Sequence, residues 1–142
     1  MFVDTRDVSL APHILMDGTW EPWITTVFES LLRPGMVVVD VGANIGHYAV
    51  LAAEAVGASG RVHAFEPQPD VADLLFANLA VNGFASRSTV TVKAVSAHVG
   101  RAVFGRYRRH PGSSSLWGNE EEAAAWRDSL ERVEVDCVTL DA

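Results

Sequence analysis

The chain has 142 residues, enough for one compact domain and short of two independent cores. Hydrophobic residues make up 49% and charged residues 20%, the mix of an ordinary globular protein, which excludes bulk disorder. Eleven Lys and Arg against eighteen Asp and Glu give a net charge of -7, so the whole-chain field repels a phosphate backbone and no general nucleic-acid partner is expected.

The start, MFVDTRDVSL, is acidic where a cleavable targeting segment needs a basic region followed by an unbroken apolar one. The most apolar stretch, residues 36–56, is interrupted by Asp40, Asn44, His47 and Glu54, which argues against a membrane span. A single cysteine, Cys137, rules out an intrachain disulfide and fits a cytoplasmic setting.

Pro22 suits a first helical turn, and Ile24, Val27, Phe28 and Leu31 follow on one face before Arg33-Pro34-Gly35. This predicts an amphipathic helix over 22–32, inside an N-terminal segment of residues 1–33. The rest of the chain, 34–142, is expected to form the main domain. Residues 36–41 are a β-branched run with Asp40 near its end, the pattern of a strand in a parallel sheet. Ile45, Ala49, Ala52 and Val56 then share a helical face that Gly57 and Gly60 terminate. A second strand is expected over 61–66. Pro67-Gln68-Pro69 leads into a helix carrying Val71, Leu74, Leu75, Asn78 and Leu79, stopped by Asn82-Gly83. A third strand is expected over 89–95. This alternation predicts right-handed βαβ units in an α/β fold. Beyond Gly100 the pattern changes to two strands, 101–107 and 132–139, enclosing a loop and a helix capped by Asn119, with Trp126, Leu130 and Val133 on one face. That region is expected to be an antiparallel excursion.

The informative stretch is VVVDVGANIGHYAVL, residues 37–51. Asp40 ends a buried strand, and Gly42, Asn44 and Gly46 lead into a helix at the carboxyl end of that strand, where open α/β sheets bind ligands. The spacing departs from the G-x-G-x-x-G dinucleotide fingerprint, which makes a nicotinamide-dependent oxidoreductase the weakest reading. Glu66 closes the second strand, where a carboxylate can accept the hydroxyls of a ribose. One carboxylate near an amino group and another near a ribose, with nothing to bind a pyrophosphate, fit S-adenosylmethionine.

Around that stretch stand Trp20-Glu21-Pro22, Pro34-Gly35, Phe65-Glu66-Pro67, Asn82-Gly83, Lys93-Ala94-Val95-Ser96 with Gly100, Ser114-Ser115-Leu116 and Val138-Thr139-Leu140-Asp141. Together they resemble the FkbM family of class I S-adenosylmethionine-dependent methyltransferases, from about Thr19 to the last residue. The resemblance implies a Rossmann-like class I methyltransferase fold, a parallel sheet with helices on both faces. It implies that Asp40 meets the cofactor's amino group directly or through water. Gly42, Asn44 and Gly46 would line the methionine portion, Glu66 would hold the ribose and Pro67 would shape the adenine pocket. Ala94, Val95 and Ser96 would pass the adenine edge. The reaction implied is O-methylation of a hydroxyl on a small molecule or glycan, a transfer that depends on in-line positioning and removal of the nucleophile's proton. A catalytically silent binding module of the same fold is the alternative from another class.

Each residue also has a plainer reading. Gly42, Asn44 and Gly46 could form a tight turn with no ligand, Asp40 could cap it, and Glu66 alone could be a solvated strand end. His47 reads as solvated at a helix start, and no catalytic base and no metal ligand are named. Glu134 and Asp136 read as the exposed face of a strand, and Cys137 as a small buried hydrophobe. Arg106-Tyr107-Arg108-Arg109-His110 is a basic island, readable as a solvated hairpin tip or as a contact for an anionic acceptor. Trp20, Trp23, Trp117 and Trp126 read as core. Only strands 3-2-1 of a class I sheet are spelled out, so the domain is expected to be incomplete. Val37, Val38, Val39 and Val41 would then lie on a bare edge that self-association or a further chain segment would cover.

Overall fold

A computed structural model describes residues 1–116 and 130–141. Near the N-terminus the buried Asp7 carboxylate accepts N–H bonds from Ser9 at 2.7 Å, Leu10 at 3.2 Å and Ala11 at 3.2 Å. It thereby caps α1 (Leu10–Asp17), which Gly18 ends in the left-handed conformation. This helix was not anticipated from the sequence.

α2 (Pro22–Leu31) begins at its proline, as expected. Its apolar face is only partly used. Thr25 is buried and Phe28 packs on the core, whereas Ile24, Val27 and Leu31 are exposed. The Thr25 hydroxyl sets this rotation by donating to the Trp20 carbonyl at 2.6 Å and lying 3.1 Å from His47 Nε2. Trp23, expected in a core, is 87% exposed, while Trp20 packs beside Leu10, Ile45 and Val71.

β1 (Val37–Val41), β2 (Arg61–Phe65) and β3 (Ser88–Thr91) form a parallel sheet in the order β1-β2-β3, the expected 3-2-1 arrangement. α3 (His47–Val56) and α4 (Pro69–Val81) are the crossovers. Both crossovers step the same way along the sheet, and right-handed connections then place both helices on one face. Accordingly Ala49, Ala52, Ala53 and Val56 of α3 and Leu75 and Leu79 of α4 share a core over Val62 and Ala64 of β2. Helices on both faces were expected from the resemblance. Instead Val37, Val39 and Val41, on the opposite face of the edge strand β1, are 65%, 47% and 53% exposed. Val38 turns inward onto the helices and does not share that exposure.

The third strand is shorter than expected. The Lys93 N–H returns to the Thr91 carbonyl at 2.9 Å, a tight turn that ends β3 and sends β4 (Ala94–Val95) into a second sheet. That sheet has the order β4-β7-β5-β6, with β5 (Gly100–Tyr107), β6 (Ser115–Leu116) and β7 (Leu130–Val138). β5 and β7 run antiparallel, as expected for the excursion. Leu130 and Val133 belong to β7 and not to a helix. The rest of the helix expected after Asn119, with Trp117 and Trp126, lies outside the described residues. Cys137 is buried with Ala94, Phe104 and Val135, and the exposed Glu134 and Asp136 both pair with Arg101, at 3.0 and 3.4 Å. No helix among the described residues is long and apolar enough to cross a membrane.

Two side-chain positions on α4 lock the fold. Asn78 is fully buried, donating from Nδ2 to the carbonyls of Phe2 at 3.0 Å and Ile45 at 2.8 Å while its Oδ1 accepts the Phe2 N–H. Leu75 sits against Gly46, where a Cβ would stand 2.6 Å from Leu75 Cδ1 on a backbone with φ of 94°. Both the dihedral and the space call for glycine. Gly46→Ala is therefore expected to lower stability by about 1–3 kcal/mol, seen as a reduced urea midpoint. An unchanged midpoint would show that α4 yields freely at Leu75.

Candidate cofactor site

β1 and β2 end side by side, with Asp40 opposite Ala64 and Val41 opposite Phe65. Their loops therefore leave from the same end of the sheet. The Phe65 carbonyl accepts N–H bonds from Gly42 at 2.9 Å and Ala43 at 3.0 Å, folding the first loop over the end of the second strand. Gly42 and Asn44 take left-handed backbone, with φ of 77° and 50°, which these two residue types tolerate. Asn44 Oδ1 supports the turn locally by accepting the Ile45 N–H at 2.7 Å.

Glu66 is only 3% exposed, so taken alone it is not the solvated strand end of the plainer reading. Its Oε2 accepts the Asn44 N–H at 3.0 Å, and its Oε1 accepts the backbone N–H and side-chain Nε2 of Gln68 at 3.0 and 3.2 Å. One carboxylate thus clamps both loops. Burial pushes its pKa up, opposed by the bonds from Gln68 and Asn44.

Asp40 is in the opposite condition. Its Oδ2 is buried with no hydrogen-bond partner among the described residues. Burial, assisted by the charge of Glu66, pushes its pKa up to about 6. A cavity of about 320 Å³ lies at this point, and its lining includes Asp40, Gly42, Ala43 and Asn44 together with Trp20, Glu21, His47 and Tyr48. Small-molecule sites start at roughly 300 Å³. A Cβ on Gly42 would meet nothing within 4 Å, so the loop is open where it borders this space.

The other residues singled out in the sequence are placed differently. Gly46 does not line the cavity and instead packs on Leu75. Pro67 is buried and borders a second cavity of about 320 Å³ that Gln68, Pro69 and Val92 line together with Arg101, Arg106 and residues 133–136 of the second sheet. Ala94 and Val95 pair with Cys137 and Val138 of β7, and the Ser96 N–H donates to the Val138 carbonyl at 2.9 Å, so all three stand in the second sheet and line neither cavity.

His47, expected to be solvated, is 7% exposed. Because the Thr25 hydroxyl donates to Trp20, the imidazole must donate from Nε2 to that hydroxyl. Burial lowers the His47 pKa, opposed by the charges of Glu29 and Glu21, and so favours the neutral ring. The site also includes Glu21, which the sequence reading left without a role. Its φ of 45° is left-handed in a residue that rarely adopts it, and its Oε2 accepts the Tyr48 hydroxyl at 3.1 Å. The adjacency of His47-Tyr48 to the glycine loop was the available signal. Among the described residues no group of three or more His, Cys, Asp and Glu is placed to hold a metal ion.

Comparison with known proteins agrees with this architecture. Residues 40–142 match the methyltransferase FkbM domain. The chain is 38% identical over 99 residues to the 31-O-demethyl-FK506 methyltransferase FkbM of Streptomyces tacrolimicus, covering 70% of this chain and 36% of that protein. It is 40% identical over 68 residues to a protein-L-isoaspartate O-methyltransferase of Hyperthermus butylicus, covering 43% of this chain and 28% of that protein. The chain thus spans about a third of the length of these curated relatives. A Clostridium thermocellum structure described as a candidate rRNA-methylase shares the fold, with a TM-score of 0.51 and 21% identity over 54% of this chain and 41% of that one. On these grounds the chain belongs to the FkbM methyltransferase family.

Proposed function

We propose that the chain holds S-adenosylmethionine at the carboxyl ends of β1 and β2, and that the reaction it serves is methylation of a hydroxyl oxygen on a small molecule or glycan. The observation that carries this reading is Asp40, a buried carboxylate oxygen without a partner at the wall of an open cavity. Such an oxygen lacks a cationic donor, and a methionine-derived tail brings an ammonium group. When bound, this cofactor would supply an electrophilic methyl group to the hydroxyl oxygen, and the hydroxyl proton would need a base.

The chain's own residues bind and orient. Gly42 and Asn44 leave room for the tail, and Gly46 holds the loop by packing instead of by contact. Glu66 keeps lone pairs beyond its three accepted bonds, which suits it to a ribose hydroxyl. Pro67, with Gln68 and Val92, borders the space in which an adenine would lie. Ala94, Val95 and Ser96 have no part in this reading, because the chain leaves the first sheet before them. No base is assigned, since His47 Nε2 is engaged with Thr25. The names of both curated relatives, an O-demethyl substrate in one and an O-methyltransferase in the other, support oxygen as the acceptor atom. A cytoplasmic setting fits the lone buried thiol of Cys137.

Calorimetry with S-adenosylhomocysteine tests the reading, and NAD in the same cell is expected to give no heat of binding. Affinity is expected to rise with pH through about 6, because the ammonium prefers the ionised form of Asp40. A flat profile would remove Asp40 from the contact. Glu66→Ala is expected to weaken binding by about 1–3 kcal/mol, and an unchanged affinity would sink the ribose assignment.

Asp40→Asn separates binding from folding. The folded pKa of Asp40 lies above its ordinary 3.8, so the folded state is penalised once the carboxylate ionises. Its stability is full below the ordinary pKa and falls as pH rises toward about 6. The variant is therefore expected to be more stable than the parent above that range, by roughly 1–3 kcal/mol, equal to it in acid, and poorer at binding. Urea midpoints at the two ends of the range check this.

A further inference from the structure

In a chain of net charge -7, four arginines line one cavity of about 420 Å³, Arg6, Arg106, Arg108 and Arg109, with Asp4, Thr5 and Val8. The N-terminal arm and the end of β5 are joined there, the Val8 N–H donating to the Arg109 carbonyl at 3.0 Å. Arg6 and Arg108 are close enough for their charges to oppose one another.

Three of the four have carboxylate partners. Arg6 grips Asp4 with bonds of 3.0, 3.1 and 2.7 Å, Arg106 pairs with Asp70, and Arg108 Nε meets Glu131 at 2.6 Å. Of these partners only Asp4 borders the cavity. Arg109 has no ion pair among the described residues, and Arg106, the most buried of the four, keeps its Nε without a hydrogen-bond partner. A guanidinium carries five N–H donors in a fork that matches an oxyanion, so pairs that each use one or two of them leave donors over. Exposed pairs of this kind are weak and rearrange readily. A set of ion pairs closed on itself would leave no surplus charge, whereas Arg109 adds one at this cavity.

We propose that this cavity binds an oxyanion, a phosphate or carboxylate group borne by the acceptor molecule. A neighbouring cavity of about 280 Å³ is lined by Arg6, Arg106 and Arg108, by the carboxylates of Asp4, Asp7 and Asp70, and by Ile45 and Gln68, which belong to the two strand-end loops, so the anion itself is held at the arginine cavity and only the uncharged remainder of an acceptor would lie here. An acceptor anchored by its anion among the arginines thus extends along the surface toward the glycine loop. The assignment to the acceptor rests on the methyltransferase reading above, whereas the oxyanion site itself does not.

The full chain is titrated with inorganic phosphate and separately with succinate, followed by calorimetry and by NMR of the arginine side chains. At least one anion is expected to bind in the millimolar range, to perturb Arg6, Arg108 and Arg109, and to weaken as salt is added. The tighter of the two identifies the source as phosphate or carboxylate. Arg108→Gln combined with Arg109→Gln is expected to lose about tenfold in anion affinity while S-adenosylhomocysteine binds as before. Arg109→Glu, which breaks no ion pair, is expected to do the same. Silence with both anions, or equal anion binding by the variants, overturns the proposal. Anion binding as expected with no S-adenosylhomocysteine binding to any form supports the oxyanion site and overturns the cofactor reading alone.

Discussion

β1 and β2 stop side by side, and beyond the Phe65 carbonyl that anchors Gly42 and Ala43, the loops that continue them are held together by the Glu66 carboxylate, which accepts N–H groups from both. A buried charge survives only when it is hydrogen-bonded, and the three donors of Asn44 and Gln68 meet that requirement. The consequence reaches beyond the clamp. With Glu66 buried beside it, Asp40 feels a second negative charge, and its own enclosed oxygen has nothing to answer it. The loop is ordered by one carboxylate and made receptive by the other.

The alternating strands and helices were legible because each boundary carries a local cause. Pro22 and Pro69 open helices, Gly57 and Asn82-Gly83 close them, and the valine run before Gly42 admits only a strand. What was not legible depends on partners distant in the chain. The face on which α3 and α4 settle follows from the direction of both crossovers, and the rotation of α2 follows from one hydroxyl, Thr25, meeting His47 across 22 residues. The break after Thr91 is made by a backbone bond from Lys93, so Val92-Lys93-Ala94-Val95 still reads as a continued strand.

Within the site, position was legible and state was not. Asp40 and Glu66 could be placed at strand ends by spacing, but their burial comes from the packing of elements around them. Spacing also cannot tell a glycine that opens a loop from one that lets a helix close in. Gly42 does the first and Gly46 the second, although both stand in the same five-residue pattern. The reverse holds for His47, whose place at the head of α3 suggests water but whose ring is enclosed by Thr25 and Tyr48.

Asn78 carries a consequence in time as well as in space. Its amide ties Phe2 to the carbonyl that precedes Gly46, across 76 residues of sequence. The group that fastens the arm stands in α4, 76 residues further along the chain, so the arm can dock only on an α4 already in place. The β1-α3-β2-α4 unit must close its own short-range contacts before the arm can be captured, since loop closure over such a span is repaid only by a surface already in place. The arm thus depends on a surface that the unit must build first, whereas the Asn78 bond to the carbonyl before Gly46 needs only the unit itself.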